Sequence, residues 1–170
     1  MRPSVIETSQ WQDPLDLLEQ SGSLPVDLFL TFRVNQLSSA FERQWSRYMR
    51  DKAGVSLSEW RIMAMLQSGA QTFARIVELT EVNKALVHRS AKSLSESGLV
   101  EITDTPGDAR STTMALTRKG QTLIGKIRPL ALARQNHFLS VLTAQERRLF
   151  YVAMEKLRTA AHEWDLSLKE

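Results

Sequence analysis

Two groups of residues have types and spacings that could do chemistry, and both suit contact with a polyanion better than bond-making. The first is Lys84, Ala85, His88, Arg89 and Lys92. At helical spacing Ala85, His88, Arg89 and Lys92 share one face, opposite Val87, Ala91 and Leu94, with Asn83 and Ser90 flanking the apolar face and Lys84 between the faces in the first turn. The lone acid on this face, Glu96, falls at the far end. A helix charged this way can lay its N-terminal end in a major groove. There Arg89 can pair bidentately with guanine O6 and N7, a contact that discriminates by ~1–3 kcal/mol. Lys84 and Lys92 suit phosphates, which set register but not sequence. Ala85 is small enough for close approach or for a thymine methyl.

The second group is Asp108-Ala109-Arg110, inside TDTPGDARSTTMALT at 103–117. An exposed ion pair contributes only ~0–1 kcal/mol to stability, so stability is a weak reason for it. On a hairpin beside a groove-reading helix, Arg110 could enter the adjacent minor groove, where a narrow groove attracts arginine. Asp108 would pre-orient the guanidinium through a charge-assisted bond.

Other chemistry lacks its residues. The chain of 170 residues has no Cys, which removes disulfides, thiolate nucleophiles and Cys-based zinc sites. His88, His137 and His162 show no ligand-like spacing, so no metal site is expected. There is no Gly-rich phosphate loop and no G-x-S-x-G elbow, and Ser111 and Thr112 have no evident base. The reading is therefore of a non-enzyme without a cofactor. No apolar run reaches membrane-spanning length and the N-terminus lacks a signal-peptide core, so a cytoplasmic protein with no membrane partner is expected. Net charge is +3 and the pI about 9.4, which permits a polyanion partner without demanding one.

The elements that position these residues follow from capping and periodicity. Residues 1–22 form an arm, with a short amphipathic helix started by Asp13 and Pro14. A long helix is expected from Ser23-Leu24-Pro25 to Gly54, with Leu30, Val34, Leu37, Phe41, Trp45 and Tyr48 as one stripe. Ser56 and Glu59 form a capping box ahead of Trp60, Met63 and Leu66. Thr72 caps a helix with Phe73, Ile76 and Val77. A corner at Thr80-Glu81-Val82 leads to Asn83, which caps the helix carrying Arg89. After Gly98 the period changes to two: Val100 and Ile102 alternate with Glu101 and Thr103, and Met114 and Leu116 with Thr113, Ala115 and Thr117, with a polar tip between them, a β-hairpin. Thr117 and the Thr143–Glu146 box open two final helices. The fold class is mainly α with a small β-hairpin wing: a winged helix-turn-helix domain plus N- and C-terminal dimerisation helices.

At roughly 55–125 the chain resembles the MarR family of transcriptional regulators. The likeness rests on Ile76-Val77-Glu78-Leu79-Thr80 through Val82-Asn83-Lys84-Ala85-Leu86-Val87-His88-Arg89, on Ser97-Gly98-Leu99-Val100, and on Asp108-x-Arg110-x-x-x-Met114-x-Leu116-Thr117-x-x-Gly120. Ala109 stands where a second arginine is frequent and His88 where a small hydroxyl residue is frequent, departures that bear on the operator sequence. The resemblance implies a homodimer on double-stranded DNA at a pseudo-palindromic operator, usually repressing and often released by a small ligand.

The domain division expected is an arm at 1–22, a helical dimerisation layer at 23–54 and 117–168, and the DNA-binding lobe at 55–116. The Phe, Trp and Leu stripes of the layer exceed what a winged helix of about 65 residues needs for its own core, which argues for a two-fold dimer. Arg33, beside the stripe of the first long helix, and Arg61, next to Trp60, are the candidate anchors for an effector, expected to be a small aromatic or phenolic carboxylate. The rival reading is a winged-helix protein–protein adaptor, or a nonspecific DNA-binding protein without effector control.

Overall fold

The computed structural model describes residues 11–80, 82–105 and 108–167, with the side chains of 105, 108–110 and 165–167 outside the description. The helices are α1 (Pro14–Ser21), α2 (Leu30–Tyr48), α3 (Leu57–Met65), α4 (Phe73–Thr80), α5 (Lys84–Glu96), α6 (Arg118–Ser140) and α7 (Ala144–Ser167). The strands are β1 (Gln71–Thr72), β2 (Val100–Thr105) and β3 (Asp108–Leu116).

The caps act where the sequence places them. The Asp13 carboxylate accepts from the Leu15 N–H, and the Asn83 side chain from the Ala85 N–H. Ser56 and Glu59 close a reciprocal box at α3, and Thr143 and Glu146 bond the same way before α7. Each satisfies N–H groups that a helix start leaves without partners.

Three features differ from the sequence expectation. The long helix does not begin at Ser23 and Pro25. A 3-10 turn spans Val26–Leu28, Phe29 is extended (φ −60°, ψ 126°), and α2 starts only at Leu30. Ser23 instead exchanges hydrogen bonds with the Ser21 hydroxyl. At its other end α2 widens into a π turn, Met49–Ala53, before Gly54 turns left-handed at φ 69°. Thr72, expected only as a cap, also lies in a third strand. β1 pairs antiparallel with β3, Gln71 opposite Met114 and Thr72 opposite Thr113, so the sheet order is β1-β3-β2. The Thr72 hydroxyl still accepts from the Arg75 N–H at 3.2 Å.

The buried core runs from Trp45 and Met49 through Ile62, Met63, Ile76, Val87, Leu94, Val100 and Met114 to Ile124 and Ile127. It thus joins the end of α2 and the first half of α6 to the three short helices and the sheet. The first part of α2 and the described side chains of α7 contribute nothing to it: Phe32, Val34, Leu37, Leu149, Phe150, Val152 and Leu157 are all exposed.

The junction between α5 and the wing is locked. Gly98 has φ 68° and follows α5. The Thr117 hydroxyl donates to the Gly98 carbonyl at 2.7 Å and accepts from the Gly120 N–H at 3.1 Å. Lys119 reaches the Ser97 carbonyl at 2.7 Å. A Cβ at Gly120 would collide with the Leu99 carbonyl oxygen, so only glycine lets α6 start this close to β2.

Candidate nucleic-acid interface and effector cleft

Helix α5 is seated by Val87, Ala91 and Leu94, each at most 3% exposed, and by Ser90, whose hydroxyl bonds that of Ser58 at 2.8 Å. Seating these side chains against α3 turns Lys84, Ala85, His88, Arg89 and Lys92 outward, and all five are exposed. Their states differ. Lys92 lies 3.8 Å from Glu96, an exposed i,i+4 pair that a phosphate can easily displace. The His88 ring meets Phe73 of α4 edge-on, centroids 6.1 Å apart, so it is steered by the preceding helix. Among the described residues no acid is paired with Lys84 or Arg89. Leu86, which the charge pattern of the helix does not single out, is an exposed aliphatic residue in the first turn beside them. The signal is present in the sequence as a leucine at N3 that the Val87–Ala91–Leu94 face does not include.

The strands β2 and β3 run on directly from α5, paired from Val100 opposite Leu116 to Asp104 opposite Thr112, with a register shift at Asp104–Thr105. The Asp108 and Arg110 side chains lie outside the described residues, so their proposed pairing has no geometry here.

The effector candidates separate. Trp60 and Arg61 line a cleft of about 290 Å³ together with Ser38, Phe41, Glu42, Trp45, Leu57 and Arg134. Trp45 and Trp60 meet edge-to-face at 5.9 Å and 78°. The Arg61 guanidinium stands 2.5 Å from the Glu42 carboxylate. Arg33 is not part of this cleft. It lines an open apolar groove of about 760 Å³ with Trp11, Leu15, Leu18, Phe29 and Leu157, because α2 carries it more than two turns before Phe41.

The second arginine of the cleft is Arg134, which is not among the anchors expected from the sequence. Its guanidinium lies 5.2 Å from the Trp45 ring centroid and 4.7 Å from that of Phe138, and it donates to the Phe41 carbonyl oxygen. Partial burial pulls its pKa below the usual arginine value, though a guanidinium stays charged at neutral pH. The available signal is its register: Arg134 interrupts the apolar stripe of Ile127, Leu130, Phe138 and Val141. A cation on an apolar stripe needs aromatic faces or acceptors, and here it has both. Walled by tryptophans and carrying two guanidinia against one carboxylate, the cleft has one cation in excess.

A model of the MarR family matches residues 53–111. The chain is 23% identical over 147 residues to the HTH-type transcriptional repressor NicR of Pseudomonas putida, covering 85% of each chain. A MarR/EmrR family transcriptional regulator from Acinetobacter sp. ADP1 superposes with a TM-score of 0.76 at 26% identity, over 82% of this chain and 99% of that one. The PcaV transcriptional regulator from Streptomyces coelicolor, solved with its natural ligand, superposes with a TM-score of 0.72 over 82% of this chain and 98% of that one. At 16% identity that last likeness speaks for the fold alone.

Proposed function

The chain is a member of the MarR family of winged-helix transcriptional regulators, and from that premise we propose that it is a homodimeric repressor released from its operator by a small aromatic or phenolic carboxylate. The observation that carries the DNA-binding part is the exposed cationic face of α5, seated rigidly on α3 and followed at once by a two-stranded wing. In this reading Arg89 reads a base edge, Lys84 and Lys92 hold phosphates, His88 and Ala85 fit the groove wall, and Arg110, oriented by Asp108, enters the minor groove.

Dimerisation is supported by the exposed apolar residues of α2 and α7. A partner related by a two-fold axis would bury them and place two recognition helices on successive turns of one duplex face. Repression is supported by the likeness to NicR. Effector control is supported by the Trp45–Trp60 cleft, which lies where α2 and α6 meet α3 of the DNA-binding lobe. A planar acid seated in the cleft would meet Arg134 and would bear on both parts of the chain.

Selection from random duplexes with an excess of nonspecific competitor tests the reading. Enrichment of a pseudo-palindrome, bound by two chains and lost on addition of an aromatic acid, is expected. Retention that disappears under competitor would favour an adaptor or a nonspecific DNA-binding protein instead.

A further inference from the structure

Resting on the reading of α5 as a DNA-recognition helix, we propose that Leu86 is a base-reading residue that recognises a thymine by its 5-methyl group.

Three observations carry this. Leu86 occupies the third position of α5, and base contacts come from the N-terminal end of a recognition helix. It is 36% exposed, whereas Val87 beside it is 1% exposed, so part of this aliphatic side chain stands clear of the core on the outer side of α5. Finally, Leu86 lies one turn before Arg89, and residues three apart on a helix are surface neighbours. The two therefore present an apolar tip and a guanidinium side by side, with Ala85 leaving space next to them.

The chemistry that complements this pair is specific. Among the groups a B-form major groove displays, the thymine methyl is the apolar one, and guanine O6 and N7 are the acceptors an arginine grips bidentately. The exposed part of a leucine next to Arg89 gains nothing from water, but against a methyl group it is complementary. Because it cannot accept or donate a hydrogen bond, it also disfavours a cytosine at the same position by leaving the N4 amino group without an acceptor.

The test uses the full-length protein and the duplex enriched by the selection above. Each thymine is replaced singly by deoxyuridine, which removes the methyl and leaves base pairing intact. For the wild type, one thymine per half-site is expected to show about a fourfold loss of affinity, the equivalent of one buried methyl group. Leu86→Ala should bind the parent duplex more weakly and be indifferent to deoxyuridine at that thymine. Leu86→Met should keep the discrimination, and Leu86→Gln should lose it. Circular dichroism and melting of each variant check the fold, and the discrimination ratio is internal to each protein, so it is insensitive to a general loss of affinity. If no thymine is methyl-sensitive, or if Leu86→Ala keeps the same ratio, the assignment is wrong. If Ala85→Gly abolishes the ratio while Leu86→Ala preserves it, the methyl reader is Ala85. If the selection enriches no sequence, the reading of the protein as a sequence-specific regulator fails first, and the Leu86 assignment falls with it.

Discussion

The Glu42 carboxylate is 2.5 Å from the Arg61 guanidinium, so Arg61 enters any binding event already neutralised, while Arg134 across the cleft faces aromatic rings and a backbone carbonyl. An incoming carboxylate therefore gains more from Arg134 than from Arg61. A charge-assisted hydrogen bond contributes roughly 1.5–3 kcal/mol when partly desolvated, about ten- to a hundredfold in affinity. Arg134→Leu should weaken binding of an aromatic acid by that factor, read from quenching of Trp45 and Trp60 fluorescence. Arg61→Leu should cost less, and Glu42→Gln should tighten binding by freeing Arg61. Arg33→Ala, in a separate groove, should leave the affinity unchanged. Equal losses for Arg33→Ala and Arg134→Leu would reject the cleft as the effector site.

The exposed apolar faces of α2 and α7 lead to a second expectation. Leu149, Phe150 and Leu157 are exposed, and the buried core runs only from Trp45 to Ile127. A charge introduced there should break a dimer without unfolding the lobe that carries α5. Phe150→Asp or Leu157→Asp should raise the dimer dissociation constant by at least about a hundredfold in sedimentation equilibrium, because burying an unpaired carboxylate costs several kcal/mol or more. Operator affinity should fall with it, since one lobe makes half of the contacts. A dimer that survives both substitutions would place the interface elsewhere.

At the wing, Arg110→Ala should weaken operator binding while leaving the circular dichroism spectrum unchanged. Two arginines are lost per dimer, so the slope of log affinity against log salt should flatten by about two if they contact phosphate. If they instead sit in the minor groove, the larger effect should be a loss of preference for A·T-rich sequence beneath the wing. Asp108→Ala should give a smaller loss of the same kind.

The caps show what is legible in the sequence. Asn83, Ser56 with Glu59, and Thr117 each act on N–H groups two or three residues away, so local spacing predicts them, and with them the frame of the DNA-binding lobe. What is not legible depends on distant pairing. β1 is two residues long, too short for a period, and it exists because Gln71 and Thr72 pair with Met114 and Thr113. Arg134 lies 93 residues from the Phe41 carbonyl it bonds, so only the folded chain reveals that it joins Arg61 in one cleft. Arg33 and Arg61 look equivalent as arginines beside aromatic residues. The direction and length of α2 separate them, and neither is a local property of the sequence.

Two glycines of α6 offer a stability test with opposite signs. Gly120 packs its Cα against the Leu99 carbonyl oxygen, and an added Cβ would collide with backbone that the Thr117 and Lys119 hydrogen bonds hold in place. Gly120→Ala should therefore destabilise the protein by about 1–3 kcal/mol, the cost of forcing extra volume into a packed site. Gly125, five residues on in the same helix, has open space on that side, and an alanine methyl there would meet nothing within 4 Å. Gly125→Ala should stabilise by up to about 1 kcal/mol, because alanine loses less backbone entropy on entering a helix. Melting curves of the two variants decide the matter. If Gly120→Ala melts at or above the wild type, α6 does not approach β2 as closely as described, and the locked junction that aims α5 and the wing together would have to be abandoned.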